Sequence, residues 1–136
     1  MSNDRDGYEV RAYTATDFNF VAATFLRGLY YGDTVFSDMP KNAFMQNYKP
    51  VLEALIKRSD VWVACLKDAP DVILGYSIIS RDFTTIHWVF VKKPWRKKGI
   101  ARSILPQYPT AVTHLTAQGK SLLTKFQDCV FDPFKT

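Results

Sequence analysis

Apolar residues recur along the chain at two periods, and the switches between them divide it into elements. Tyr8, Val10 and Ala12 alternate with Glu9, Arg11 and Tyr13, which predicts a first strand over residues 8–14. Thr16 then offers an N-cap with Asp17 in the first turn, and Phe18, Val21, Ala22, Phe25, Leu26 and Leu29 follow at helical spacing until Gly32. A second helix is expected over 40–58, with Phe44, Tyr48, Val51, Leu52, Leu55 and Ile56 on its apolar face. Two strands, 61–66 and 72–80, flank the polar turn 67–71 and read as an antiparallel hairpin, with Gly75 interrupting the second strand. Residues 84–91 form the next strand. A short helix opens at Gly99 with Ile100, Ile104 and Leu105 on one face, is interrupted by Pro106 and ended by Pro109. A fifth strand over 111–116, a last helix over 119–126 and an extended segment over 130–134 complete the pattern.

Chemistry concentrates in the stretch 89–105, V-F-V-K-K-P-W-R-K-K-G-I-A-R-S-I-L. It reads as a strand, a basic loop and a helix start. The first backbone N–H groups of a helix lack partners within it and the dipole there is positive, so a phosphate is a natural guest. Gly99 lets a ligand approach the backbone, and Ala101 keeps the next turn slim. Of the net charge of +5, Lys92, Lys93, Arg96, Lys97, Lys98 and Arg102 supply six cations with no acid among them, while the rest of the chain nets one negative charge. A single patch suits one phosphate-rich ligand better than a nucleic-acid surface, which spreads its cations over a larger face.

The length of 136 residues suits one domain spanning 1–136, and an apolar fraction of 47% is that of a folded protein. No apolar run approaches the roughly 20 residues of a membrane span, and the first seven residues are too polar for a signal peptide, so a cytoplasmic protein is expected. Cys65 and Cys129, with only His87 and His114 beside them, argue against a metal site and a disulfide framework.

The spacing Arg96-x-x-Gly99-x-Ala101 after a strand ending V-x-V resembles motif A of the GCN5-related N-acetyltransferase (GNAT) family. So do the Arg11 and Asp17 placement at the first strand and helix, and the V-I-L-G-Y-S-I-I run of the third strand. Taken whole, the chain resembles the small phage and bacterial members. The resemblance implies an α/β (α+β) fold, a mixed, mainly antiparallel sheet flanked by helices, with acetyl-CoA as co-substrate in a slot between strands four and five. It implies that Arg96, Lys97, Lys98, Gly99, Ile100 and Ala101 hold the pyrophosphate and that the backbone of Val89, Phe90 and Val91 holds the thioester. Arg102, one turn into the helix, is placed either to reach the 3′-phosphate or to form a solvated face. The implied activity is acyl-CoA-dependent N-acetyl transfer to an amine. Family members finish with two full strands, so here either the sheet is trimmed or a second copy completes it as a homodimer.

Strict alternation places His87 on one side of its strand with Val89 and Val91, where several family members carry a glutamate base; Asp33, Asp38 and a relayed water compete for that role. The family's acid is a tyrosine after strand five. Residues 118–130 contain none, which leaves Tyr108, water or a chain that binds CoA without catalysis. The aromatic connection 30–39, with Tyr31, Asp33, Phe36 and Asp38, is the expected acceptor site. A non-catalytic CoA-binding module and a nucleic-acid-binding or base-modifying protein remain the alternatives. Against the latter, Trp95 is the one aromatic residue inside the patch.

Overall fold

The computed structural model describes residues 7–32, 34–114 and 116–136. Tyr8–Ala12 (β1), Ser59–Leu66 (β2), Ala69–Ser80 (β3) and Thr85–Val91 (β4) pair in sequence order, each antiparallel to the next. Ala111–Val112 (β5) adds parallel to β4, and Val130–Phe131 (β6) parallel to β5, making a six-stranded sheet in chain order. The helices are Phe18–Gly32 (α1), Thr34–Ser37 (α2), Lys41–Lys57 (α3), Ile100–Ile104 (α4) and Ala117–Lys125 (α5). None among the described residues is long and apolar enough to cross a membrane.

Alternation along β2 builds two cores. Val61, Val63 and Cys65 face a cluster with Val21, Phe25, Leu29, Phe44, Leu52 and Leu55 of α1 and α3. Trp62, Ala64 and Leu66 face the other side, where Ile100 and Ile104 of α4 meet Tyr8, Leu74, Val89 and Val91. The start of α1 is tied to the sheet by Arg11, whose guanidinium donates to both oxygens of Asp17 at 2.8 Å. Asp17 also accepts from the Thr14 N–H at 2.9 Å, so Thr14 and not Thr16 takes the cap position, in a 3₁₀ turn over Ala15–Asp17 that leads into α1. The Arg11 bond, reinforced by that of the Thr14 N–H, holds the Asp17 carboxyl below its ordinary range against the opposing effect of burial.

Further expectations change. Strand five, expected over 111–116, is only Ala111–Val112, and β3 begins at Ala69, inside the expected turn 67–71. The aromatic connection is not an open loop: Tyr30, Tyr31 and Gly32 belong to α1, and Thr34–Ser37 forms α2. Its apolar residues find partners that stabilise helical turns, Phe36 packing on Phe44 and Tyr48 with ring centroids 5.2 and 5.6 Å apart. Val51 stands 50% exposed, because the buried stripe of α3 is the narrower set Phe44, Leu52 and Leu55. Gly75 lies inside a continuous β3, paired with Ala64 and Val91, and the irregularity falls beside it, where the register with β2 skips Leu74.

What Gly75 supplies is space. A Cβ there would lie 2.6 Å from the Phe90 carbonyl oxygen and 3.2 Å from the Val91 Cα, both backbone atoms of β4. Gly75→Ala is therefore expected to cost about 2 kcal/mol, as overpacking against backbone does, read as a lowered urea midpoint at unchanged slope. An unchanged midpoint would mean that β3 and β4 can part without penalty.

Candidate functional site

The site begins where two parallel strands separate. Thr85 and Ile86 of β4 pair with Ala111 and Val112 of β5, and the Thr113 N–H reaches the Ile86 carbonyl at 3.1 Å. Beyond that point β4 continues to Val91 while β5 has ended, and no further backbone bond joins them among the described residues. A narrow crevice of about 10 Å³, hardly more than the space of one water, lies at the gap, lined by Ile86, His87, Trp88 and Val89 on one side and by Val112, His114 and Thr116 with Gly119 and Leu122 of α5 on the other.

A bulge coincides with the parting. Ile78 of β3 pairs with Trp88 and Ile79 with Ile86, so His87 is an extra residue opposite none. A bulge re-aims the side chain it carries and breaks alternation. This corrects the expectation of strict alternation through His87: Ile86 packs with Val89, Val112 and Leu122, whereas Trp88 packs on Phe25 at a centroid distance of 4.3 Å.

His87 is 2% exposed. Its Nδ1 lies 3.1 Å from Thr113 Oγ1, which lies 2.9 Å from Nδ1 of His114, while its Nε2 is buried without a partner among the described residues. Burial first, then the charges of His114 and Arg58, push the imidazole down to about 4. At neutral pH it is uncharged. Thr113 is buried and His114 half-buried, its ring edge-on to Phe25 and Trp88.

From Val91 the chain enters the basic loop, beginning with a 3₁₀ turn over Lys93–Trp95. Two residues here adopt left-handed backbone, Lys97 at φ 65° and Gly99 at φ 87°. For a lysine this costs on the order of 1 kcal/mol. Trp95 and Arg96 donate back into the loop, and the Arg96 side chain clamps it by donating to the Val91 carbonyl at 2.9 Å. The N–H groups of Lys97, Lys98, Gly99, Ile100 and Ala101 have no backbone acceptor among the described residues. Trp95 packs against the cluster of Ile100 and Ile104, and the Lys98 ammonium lies 5.8 Å from its ring, so it anchors the loop. The ion pair found among the described residues is Arg11–Asp17, which leaves the cations of the loop unneutralised.

The other expected residues are dispersed. Val89 lines the crevice, and Val91 packs towards α4; the Phe90 side chain points instead to Phe20 and Tyr76. Arg102 is exposed on α4. Tyr108 is 79% exposed in the connection to β5 and does not line the crevice. Tyr31 is 63% exposed with the Lys41 ammonium 5.4 Å from its ring, Asp38 is exposed, Phe36 is part of the aromatic packing, and Asp33 lies outside the described residues. Thr113 and His114 were not singled out from the sequence. Their one signal was that the second histidine of the chain follows a threonine at the end of a predicted strand.

The His87 environment has a consequence for stability. Because the folded-state value lies near 4 and the ordinary one at 6.5, the unfolded chain takes up a proton first as pH falls. His87 therefore leaves stability intact above pH 6.5 and erodes it from there down to about 4. Asp17, held low by Arg11, acts below that window. The fall in Tm between pH 6.5 and 4 is expected to be shallower in His87→Gln than in the parent chain; parallel curves would show that His87 does not titrate as placed.

The sequence matches no protein-family model and no curated protein. Among solved structures it is similar to a proposed acetyl transferase from Pyrococcus furiosus, 13% identical over 92% of this chain and 81% of that one, with a TM-score of 0.59. It is also similar to a possible acetyltransferase from Clostridium difficile 630, 14% identical over 95% and 82% of the two chains, with a TM-score of 0.50. Likeness at this identity concerns architecture and not activity. With four antiparallel strands, a parallel β5 that parts from β4, and helices on both faces, the chain carries the fold of the GCN5-related N-acetyltransferases.

Proposed function

We propose that this single domain is an acyl-CoA-dependent N-acyltransferase that moves an acetyl group from acetyl-CoA to a primary amine. The observation that carries the reading is continuity: β4 parts from β5 along a crevice and runs directly into a loop whose unpartnered N–H groups lie among unneutralised cations. CoA has the matching parts in the matching order, a thioester on a slender arm followed by a pyrophosphate and a 3′-phosphate. The N–H groups of Lys97 to Ala101 suit the pyrophosphate, and the cations of the loop suit the remaining charge.

Within that reading, the β4 backbone that β5 leaves unpaired holds and polarises the thioester, and holding the two reactants together supplies much of the rate. His87 is the titratable side chain of β4 that lines the crevice. Residues near Tyr31 and Asp38 offer the acceptor an aromatic and acidic border. The two cysteines are free and buried, which suits a reducing, cytoplasmic setting. A nucleic-acid role is less well supported, since Trp95 is committed to packing and Lys98.

Calorimetric titration with acetyl-CoA, CoA and 3′-dephospho-CoA tests the reading. Binding is expected to weaken about tenfold without the 3′-phosphate, roughly what one charge-assisted contact contributes. Gly99→Asp, which tolerates left-handed backbone but brings a carboxylate to the loop, is expected to bind at least about tenfold more weakly than Gly99→Asn. No binding by the parent chain, or equal binding by the two variants, would sink the proposal.

A further inference from the structure

The chain has two histidines, His87 and His114, and a single hydroxyl joins them. Thr113 Oγ1 carries one proton, so it can donate to only one of the two Nδ1 atoms, and the other must donate to it. Two arrangements follow. Either His87 carries its proton on Nδ1 and presents a bare Nε2, or the whole line reverses and Nε2 carries the proton. The buried, unpartnered Nε2 of a crevice-lining side chain is thus switched by Thr113, which follows β5.

We infer that His87, Thr113 and His114 form a proton wire that serves the amine and then the thiolate, with His87 at its buried end and His114 at its outer end. The inference rests on the acyl-transfer reading above. As the amine nitrogen forms its bond to the thioester carbon, its N–H bond breaks and the proton passes to His87 Nε2. The Nδ1 proton of His87 moves to Thr113 Oγ1, and the hydroxyl proton moves on to His114 Nδ1. When the C–S bond breaks and the sulfur leaves with the electron pair, Nε2–H protonates it and the line runs back. The sum is an amide and a free thiol, with nothing oxidised and the wire reset.

The geometry explains why a wire is needed. A lone imidazole this buried holds a positive charge poorly, as its lowered pKa shows, and would be a weak base. Moving the charge outward, from a ring 2% exposed to one that is half-buried, reduces the burial that opposes it. The wire also supplies the acid that no tyrosine in 118–130 provides.

Nitrogen-15 spectra of the full chain read the histidine tautomers directly, without an acceptor. The expected result is opposite tautomers, His87 protonated on Nδ1 and His114 on Nε2, a pairing lost in Thr113→Val and kept in Thr113→Ser. Thiol release from acetyl-CoA with a panel of primary amines gives the second readout. Thr113→Val is expected to lower kcat on the order of 100-fold with KM for acetyl-CoA little changed, and Thr113→Ser to recover most of it. Wild-type tautomers or wild-type kcat in Thr113→Val would overturn the wire. Acetyl-CoA binding with unlinked tautomers would overturn the wire alone, whereas linked tautomers without any acetyl-CoA binding would overturn the acyl-transfer reading and with it the wire's role.

Discussion

The parting of β4 from β5 after Ile86 and Val112 is the constraint on which the rest of the molecule depends. Parallel strands are held by evenly spaced backbone bonds, and ending β5 after two residues leaves the remainder of β4 with one neighbour instead of two. Unpaired backbone polar groups near a protein interior are costly unless something else bonds them. A sheet can keep such a gap only where the flanking elements hold it open. Here α4 and α5 sit on either side, with Ile100 and Ile104 packed on one stretch of the sheet and Leu122 on another. The bulge at His87 belongs to the same device, since an added residue increases local twist and turns the end of β4 away from β5.

Much of this architecture was legible in the sequence because its causes are local. Period-two and helical patterns located every strand of the antiparallel sheet and the two long helices, and the Gly99 and Ala101 spacing after an apolar strand located the loop. What was not legible depends on distant contacts. A bulge has no period of its own, and one extra residue at 87 reassigned the faces around it. Phe36 reads as a loop residue until Phe44 and Tyr48 are beside it. Thr113 and His114 are ordinary residues until the fold brings Thr113 across 26 positions to His87, with His114 bonded beside it.

The basic loop shows a division between strain and charge. Lys97 occupies left-handed backbone that glycine or asparagine would adopt more easily. A glycine there would relieve the strain and remove one cation from a cluster that no nearby acid neutralises. Arg96 meanwhile spends part of its guanidinium on the Val91 carbonyl, so one cation stiffens the loop that the others decorate. Local stability is given up where the cations cluster.

The sheet is also unevenly knit. β2 and β3 register over eight paired positions, β3 and β4 over five, but β4 with β5 and β5 with β6 over two each. Cooperative opening follows such seams, so the molecule should come apart in stages. The wall carrying Thr113 and His114 would detach while the antiparallel core stayed folded, and amide exchange would run fastest there in the free chain. A guest lying between the walls would stitch the seam, so that its binding energy would appear chiefly as slower exchange in one third of the sheet. Under the proposed function, the part that would receive acyl-CoA is also the part with the fewest strand pairings.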